Sequence, residues 1–193
     1  MRGAPSSRRT RKRPLPAHRV EPEGALAFGF VLGAISFFYL SVAVNVLAAS
    51  LALSAIAFYV FVYTMWLKRT SVQNIVIGGA AGAVPALVGW AAVTGTVGPA
   101  AWVLFAIVFV WTPPHFWALA IRYKDDYRAA DVPMLPAVVS LQKTATRILL
   151  YSVVLWGLTI LFGPVADMGI TYYVAAVVLG AVFTGLAVQV FWR

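Results

Sequence analysis

Asp125 and Asp126 stand side by side in "IRYKDDYRAAD", with Arg122, Lys124 and Arg128 around them and Asp131 five residues on. Adjacent carboxylates can share one divalent cation. Mg²⁺ takes one or two carboxylates together with substrate phosphate oxygens, while Arg and Lys hold the phosphate oxygens that remain. Such a stretch has the chemistry of a diphosphate site. The same residues also fit a solvated loop whose charges pair with one another, since exposed ion pairs are common and weak. Two more basic clusters are available to an anionic ligand. One is Arg8, Arg9, Arg11, Lys12, Arg13 and Arg19; the other is Lys68 and Arg69 in "YTMWLKRTSVQN", which runs from Tyr63 to Asn74.

Immediately before the acidic pair, "WTPPHFW" places His115 after Pro113 and Pro114 and among Trp111, Phe116 and Trp117. Proline removes a helix hydrogen bond and bends the helix. The expectation is therefore a bend at Pro113–Pro114 that opens an aromatic-lined cavity. A histidine there is either a functional group or a packing residue.

These residues sit in a chain that is 62% hydrophobic and 11% charged. A globular domain carries charge on about a quarter of its residues, so this composition excludes an ordinary water-soluble fold. The apolar residues come in continuous blocks long enough to cross about 30 Å of hydrocarbon as helices. Their lack of period-two alternation excludes a transmembrane barrel. Six spans are predicted, at about 25–43, 45–65, 74–94, 98–121, 145–164 and 170–191, giving an all-α polytopic bundle after a basic segment at 1–23. Gly98-Pro99 suits the start of the fourth span, and Gly78, Gly79 and Gly82 give the third a small-residue face for close helix packing.

The net charge of +9 follows topology. With the N-terminus inside, residues 1–23, the loops 66–73 and 122–144, the C-terminal tip and Arg147 hold all 15 Lys and Arg, and the opposite connections hold only Asp167. That is the positive-inside pattern, with the charged loops cytoplasmic. The charge is accounted for by the lipid bilayer and an anionic substrate, and nucleic acid is not an expected partner because no recognition module accompanies it. Three prolines at 5, 14 and 16 argue for a cytoplasmic segment at 1–23 over an amphipathic targeting peptide. The absence of cysteine excludes disulfides and thiolate metal sites.

Three stretches, "RRTRKRPLPAHRV" (8–20), "YTMWLKRTSVQNIVIGGAAGAVPALVGWAAVTG" (63–95) and "WTPPHFWALAIRYKDDYRAADVPMLP" (111–136), closely resemble the haem O synthase (protohaem IX farnesyltransferase) family of intramembrane prenyltransferases. The resemblance runs through essentially the whole chain. It implies the interior part of a nine-helix bundle around a cavity open to the cytoplasm. The implied reaction transfers the farnesyl group of farnesyl diphosphate to a vinyl group of haem b, with addition of water, giving haem O for haem A synthesis. It implies Mg²⁺, held by Asp125 and Asp126 as the second Asp-rich motif. Arg9, Arg13, Lys68, Arg69, Arg122, Lys124 and Arg128 become diphosphate-facing cations. Tyr63, Asn74, Trp111, His115, Phe116 and Trp117 become pocket residues, with His115 the candidate haem contact. The implied setting is a bacterial inner membrane in preference to a mitochondrial one, with the next enzyme of haem A synthesis as a possible partner.

The family pattern also has a first Asp-rich motif before the "RRTRKRPLP" stretch, where this sequence reads "MRGAPSS", and His18 and Asp131 stand where the family pattern has glycine. Two opposing acidic motifs share the metal–diphosphate in that pattern. The other reading is accordingly an inactive remnant or a non-enzymatic membrane scaffold. The expected outcome is that the 193-residue chain, purified alone and supplied with haem b and farnesyl diphosphate, makes little or no haem O; chromatographic detection of haem O at a rate comparable with native membranes would contradict this.

Overall fold

A computed structural model describes residues 13–129 and 133–192, apart from the side chains of Arg69, Asp126 and Ala129. Arg9 and Asp131 lie outside the described residues. Six long helices carry the apolar blocks: α1 (Pro22–Ala43), α2 (Val46–Ala57) continued by a π-helical segment (Phe58–Leu67), α4 (Asn74–Thr94), α5 (Pro99–Arg122), α8 (Leu141–Val165) and α9 (Ile170–Phe191). Three short helices, α3 (Lys68–Thr70), α6 (Lys124–Ala129) and α7 (Leu135–Val138), lie in the connections, and no strand occurs among the described residues. This is the all-α polytopic membrane bundle that the composition requires.

Local chemistry fixes the helix ends. Pro22 and Glu23 open α1, where a missing N–H is harmless and an acid suits the helix dipole. Asn45 makes the tight α1–α2 turn: its Oδ1 accepts from the N–H of Ala48 and its Nδ2 donates to the carbonyl of Ala91, both at 2.8 Å. One side chain thus caps α2 and ties it to the far end of α4. Gly95, in the left-handed region at φ 70°, ends α4. The fifth span begins at Leu141, four residues before the apolar pattern suggests, because Ser140 caps it by accepting from the N–H of Lys143 at 3.3 Å. Helix α8 therefore projects one polar turn beyond its hydrophobic stretch.

The spans pack as a chain of neighbours: α1 on α2, α2 on α4, α4 on α5, α5 on α8 and α8 on α9. Burial concentrates on the faces of α4, α5 and α8, with Ala83, Leu87, Ala101, Trp117, Ile148 and Ser152 among the buried residues, whereas α1 buries none. The described helices form an open arc whose thickest part is α4–α5–α8. At one end of the spans lie α3, α6, α7 and the turn before α1, which with Arg122 at the end of α5 and Lys143 and Arg147 in the first turns of α8 carry the described Lys and Arg. At the other end lie three short turns whose only charge is Asp167.

The chain's lack of cysteine makes this two-ended arrangement directly testable. Single cysteines at Thr96 or Met168 are expected to react with a membrane-impermeant maleimide in intact cells. Cysteines at Gln73 or Lys124 should react only after permeabilisation, and the reverse pattern would invert the bundle.

Candidate functional site

The acidic pair lies on α6, the short helix that follows α5 at the basic end. Asp125 is exposed, with a side chain 83% accessible, and Arg128 Nη1 lies 3.7 Å from its Oδ1. That distance makes a loose pair, which leaves most of the carboxylate's acceptor capacity open. Asp126 occupies the next position of the same helix.

Arg128 does more than flank the acids. Its Nε donates to the carbonyl of Ala137, at the end of α7, at 2.9 Å. Helix α7 is a wedge driven into the bundle mouth: Leu135, 1% exposed, clusters with Trp117 of α5, Ile148 of α8 and Ala187 of α9. Met134 and Ala137 pack with Ile75 of α4 and Tyr127 of α6. Burying Leu135 is worth roughly 2 kcal/mol over leaving it in the loop. The acid-bearing helix is thereby anchored on both sides, by Tyr127 and by the Arg128–Ala137 bond. Sequence reading missed this anchor; its signals are Pro133 and Pro136, the second opening α7 in the position where proline suits a helix start.

Lys68 and Arg69 lie on α3, directly after the π-helical segment. The wide turns there are marked by Thr64, whose hydroxyl donates five residues back to the carbonyl of Tyr59 at 2.8 Å, and by the Lys68 N–H bonded to the carbonyl of Tyr63. No residue pattern announces such a segment, although π turns recur at functional sites. Tyr63 lies at its centre, its ring 5.2 Å from that of Tyr59 and seated directly on Gly78 of α4. A Cβ at Gly79 would lie 3.1 Å from Thr112 of α5. Gly78 and Gly79 of the expected small-residue face therefore serve close packing on two neighbours, whereas Gly82 meets nothing within 4 Å.

Asn74, the first residue of α4, is 1% exposed. Its Nδ2 reaches the carbonyl of Lys68 at 3.4 Å, while its Oδ1 is a buried acceptor with no protein partner. Such an atom is costly to bury unless something donates to it. Among the described candidate pocket residues, Asn74 Oδ1 and Trp117 Nε1 are the buried polar atoms without a partner.

The "WTPPHFW" residues separate. Helix α5 continues from Pro99 to Arg122 through both buried prolines, with the Thr112 hydroxyl donating to the carbonyl of Val108 at 2.9 Å. The predicted break beside His115 is thus absorbed within one helix. Trp111 and His115, one turn apart, stack at 4.4 Å on the exposed side of α5, with Phe116 edge-on to His115 at 5.4 Å. Trp117 points elsewhere: it is 1% exposed, edge-on to Tyr151 at 5.4 Å, and its Nε1 has no acceptor. The four aromatic neighbours therefore do not line one cavity. A cavity of about 370 Å³ does lie between α5, α8 and α9, bordered by Trp111, Ser152, Trp156, Leu179 and Phe183. Its wall is apolar, because the Ser152 hydroxyl is committed to the carbonyl of Ile148 at 2.8 Å.

Among the remaining candidates, Arg122 closes α5 with its guanidinium 6.0 Å from the Tyr123 ring, Lys124 opens α6, and Arg13 begins the turn before α1. No group of three His, Asp or Glu side chains converges among the described residues. An acid pair that leaves room for phosphate oxygens and water is the donor set Mg²⁺ favours over a closed cage.

The six spans carry an acid pair among cations at one end and an apolar cavity between α5, α8 and α9. The chain belongs to the UbiA prenyltransferase family, whose pattern matches residues 5–193. It is 58% identical over 179 residues to the protoheme IX farnesyltransferase of Parafrankia sp. (strain EAN1pec), covering 93% of this chain and 57% of that protein. It is 55% identical over 180 residues to the protein of the same name from Picosynechococcus sp., covering 92% and 56%. For that from Gloeobacter violaceus the identity is 56% over 172 residues, covering 89% and 56%. The chain spans a little over half the length of these relatives. No solved structure matches it.

The close seat of Tyr63 gives an expected outcome. Gly78→Ala forces a methyl into the Tyr63 ring and should destabilise the folded bundle by ~1–3 kcal/mol. Gly82→Ala meets nothing within 4 Å and should be neutral or slightly stabilising. Thermal unfolding of both variants in detergent distinguishes the two positions; equal effects would remove the packing role assigned to Gly78.

Proposed function

We propose that this chain takes part in transferring the farnesyl group of farnesyl diphosphate to a vinyl group of haem b, with addition of water, to give haem O. The observation that carries the reading is α6: an acid pair among cations, anchored at the bundle mouth, in a chain 58% identical to a protoheme IX farnesyltransferase. Asp125 and Asp126 would hold a divalent ion such as Mg²⁺, which would supply Lewis-acid assistance to departure of the diphosphate.

The chain's own residues supply binding and shielding. Lys68, Arg69, Arg122 and Lys124, with Arg9 and Arg13, neutralise the diphosphate oxygens. Arg128, already bonded to Ala137, contributes its remaining N–H groups. Asn74 Oδ1, a buried acceptor without a partner among the described residues, would accept a hydrogen bond from a donor on a bound substrate. The farnesyl chain lies in the apolar cavity beside Trp111, where water is excluded. Breaking the C1–O bond sends the electron pair to the diphosphate and leaves allylic positive charge on the prenyl carbon, which an aromatic face such as that of Trp111 or Phe116 stabilises. The vinyl terminus of haem b bonds to that carbon, and water adds at the neighbouring vinyl carbon with loss of a proton. Tyr63 and Trp117 shape the mouth, and His115, stacked on Trp111, is the haem-facing group. The setting is a bacterial inner membrane with the charged end cytoplasmic, where an enzyme of haem A synthesis can receive the product.

Asp125→Asn and Asp126→Asn remove the metal-holding charge without altering the spans. Each is expected to lower Mg²⁺-dependent haem O formation in native membranes by about 100-fold or more, the scale of losing a group that stabilises transition-state charge, with unchanged membrane content by immunoblot. Turnover that survives both substitutions would reduce the loop to a structural element.

A further inference from the structure

Lys143 and Arg147 are used neither by the packing nor by the site on α6. They lie one turn apart on α8, and the spacing carries on through Leu150 and Val154, so the four residues form a single stripe along the helix. The opposite face of α8 is the buried one, with Thr144, Ala145, Ile148, Ser152 and Leu155 turned toward the bundle. Leu150 and Val154 are 60% and 53% exposed, so no described residue covers this stripe. Arg147 lies six residues past the helix start, about 9 Å along its axis. Since the first turn of α8 projects beyond its hydrophobic stretch, Arg147 stands at the edge of the apolar span, where its side chain can reach outward to an anionic partner. Yet neither side chain has a hydrogen bond or carboxylate partner among the described residues, where Asp125–Arg128 is the only ion pair.

We propose that Lys143 and Arg147 form a docking site for one anionic phospholipid of the surrounding bilayer. Its phosphate sits between the two side chains and an acyl chain lies along Leu150 and Val154. The long stems of Lys and Arg reach outward along the helix to the headgroup level. There Arg offers its planar fork to two phosphate oxygens and Lys adds a point charge. Charge complementarity selects an anionic headgroup, and the bulky Leu150, Val153 and Val154 below it suit an acyl chain better than a second helix, which needs small residues to approach. The site faces away from the cavity beside Ser152 and does not depend on the proposed reaction.

Native mass spectrometry of the purified protein, titrated separately with phosphatidylglycerol and phosphatidylcholine, tests this. Wild type is expected to hold one phosphatidylglycerol and to bind phosphatidylcholine markedly less. The double variant K143Q/R147Q should weaken phosphatidylglycerol about 30-fold, and each single variant about fivefold, from the usual attraction of a basic residue to an anionic lipid surface. The charge-keeping variant K143R/R147K should bind nearly as wild type. The proposal is overturned if the neutral variants bind phosphatidylglycerol unchanged or if both lipids bind wild type equally. It is equally overturned if inorganic pyrophosphate displaces the lipid, which would make the pair a soluble-anion site.

Discussion

In hydrocarbon a peptide N–H or C=O has no water to bond, and each unsatisfied group costs several kcal/mol. Nearly every feature of this chain answers to that constraint. The spans run as uninterrupted helices even where the sequence makes this difficult, through Pro85 in α4 and through Pro113 and Pro114 in α5. At the helix ends side chains supply partners, as Asn45 does for the N–H of Ala48 and Ser140 for that of Lys143. Irregular backbone is confined to the two ends of the arc. Polar chemistry can therefore gather only at an end or on the few buried side chains facing one.

The basic end shows how such a site is stiffened without a large core. Helix α6 has only six residues and could not hold a fixed position by its own hydrogen bonds. Leu135 and Met134 bury α7 in the bundle mouth, and Arg128 and Tyr127 link α6 to it. Stiffness at the acids is thus borrowed from apolar burial eight to ten residues away. The same logic applies to Tyr63, which rests on Gly78 and is held in place by the absence of a side chain there.

What the sequence made legible follows from which forces are local. The six spans and the two-ended charge distribution depend on runs and counts, and both appear in the fold; of the expected glycine face of α4, Gly78 and Gly79 pack closely while Gly82 meets nothing. The candidate chemistry on α6 was legible as residue types, because carboxylates and cations bind metals and phosphates wherever they stand. The anchor was not, since "VPMLPAV" resembles any proline-bounded loop until α5 and α8 provide the groove that Leu135 enters. The π-helical turns of α2 were equally hidden, for they rest on backbone bonds that many sequences could make. The grouping of Trp111, His115, Phe116 and Trp117 misled in one respect. Neighbours in sequence occupy different sides of a continuous helix, so Trp117 went to the core while Trp111 went to the cavity edge.

A reactant with a charged head and a long apolar tail fits this division of the protein into a polar end and a dry interior. Binding energy from the tail can be gained far from the reacting bond, while the diphosphate stays where cations and metal are accessible. The proposed reaction demands that separation, because developing positive charge on an allylic carbon must be kept from water while the leaving group must be met by charge. A soluble fold would have to build both environments within one core. Here the bilayer and the packed helices already provide the dry one, and the chain adds only a short, anchored rim of charge at its edge.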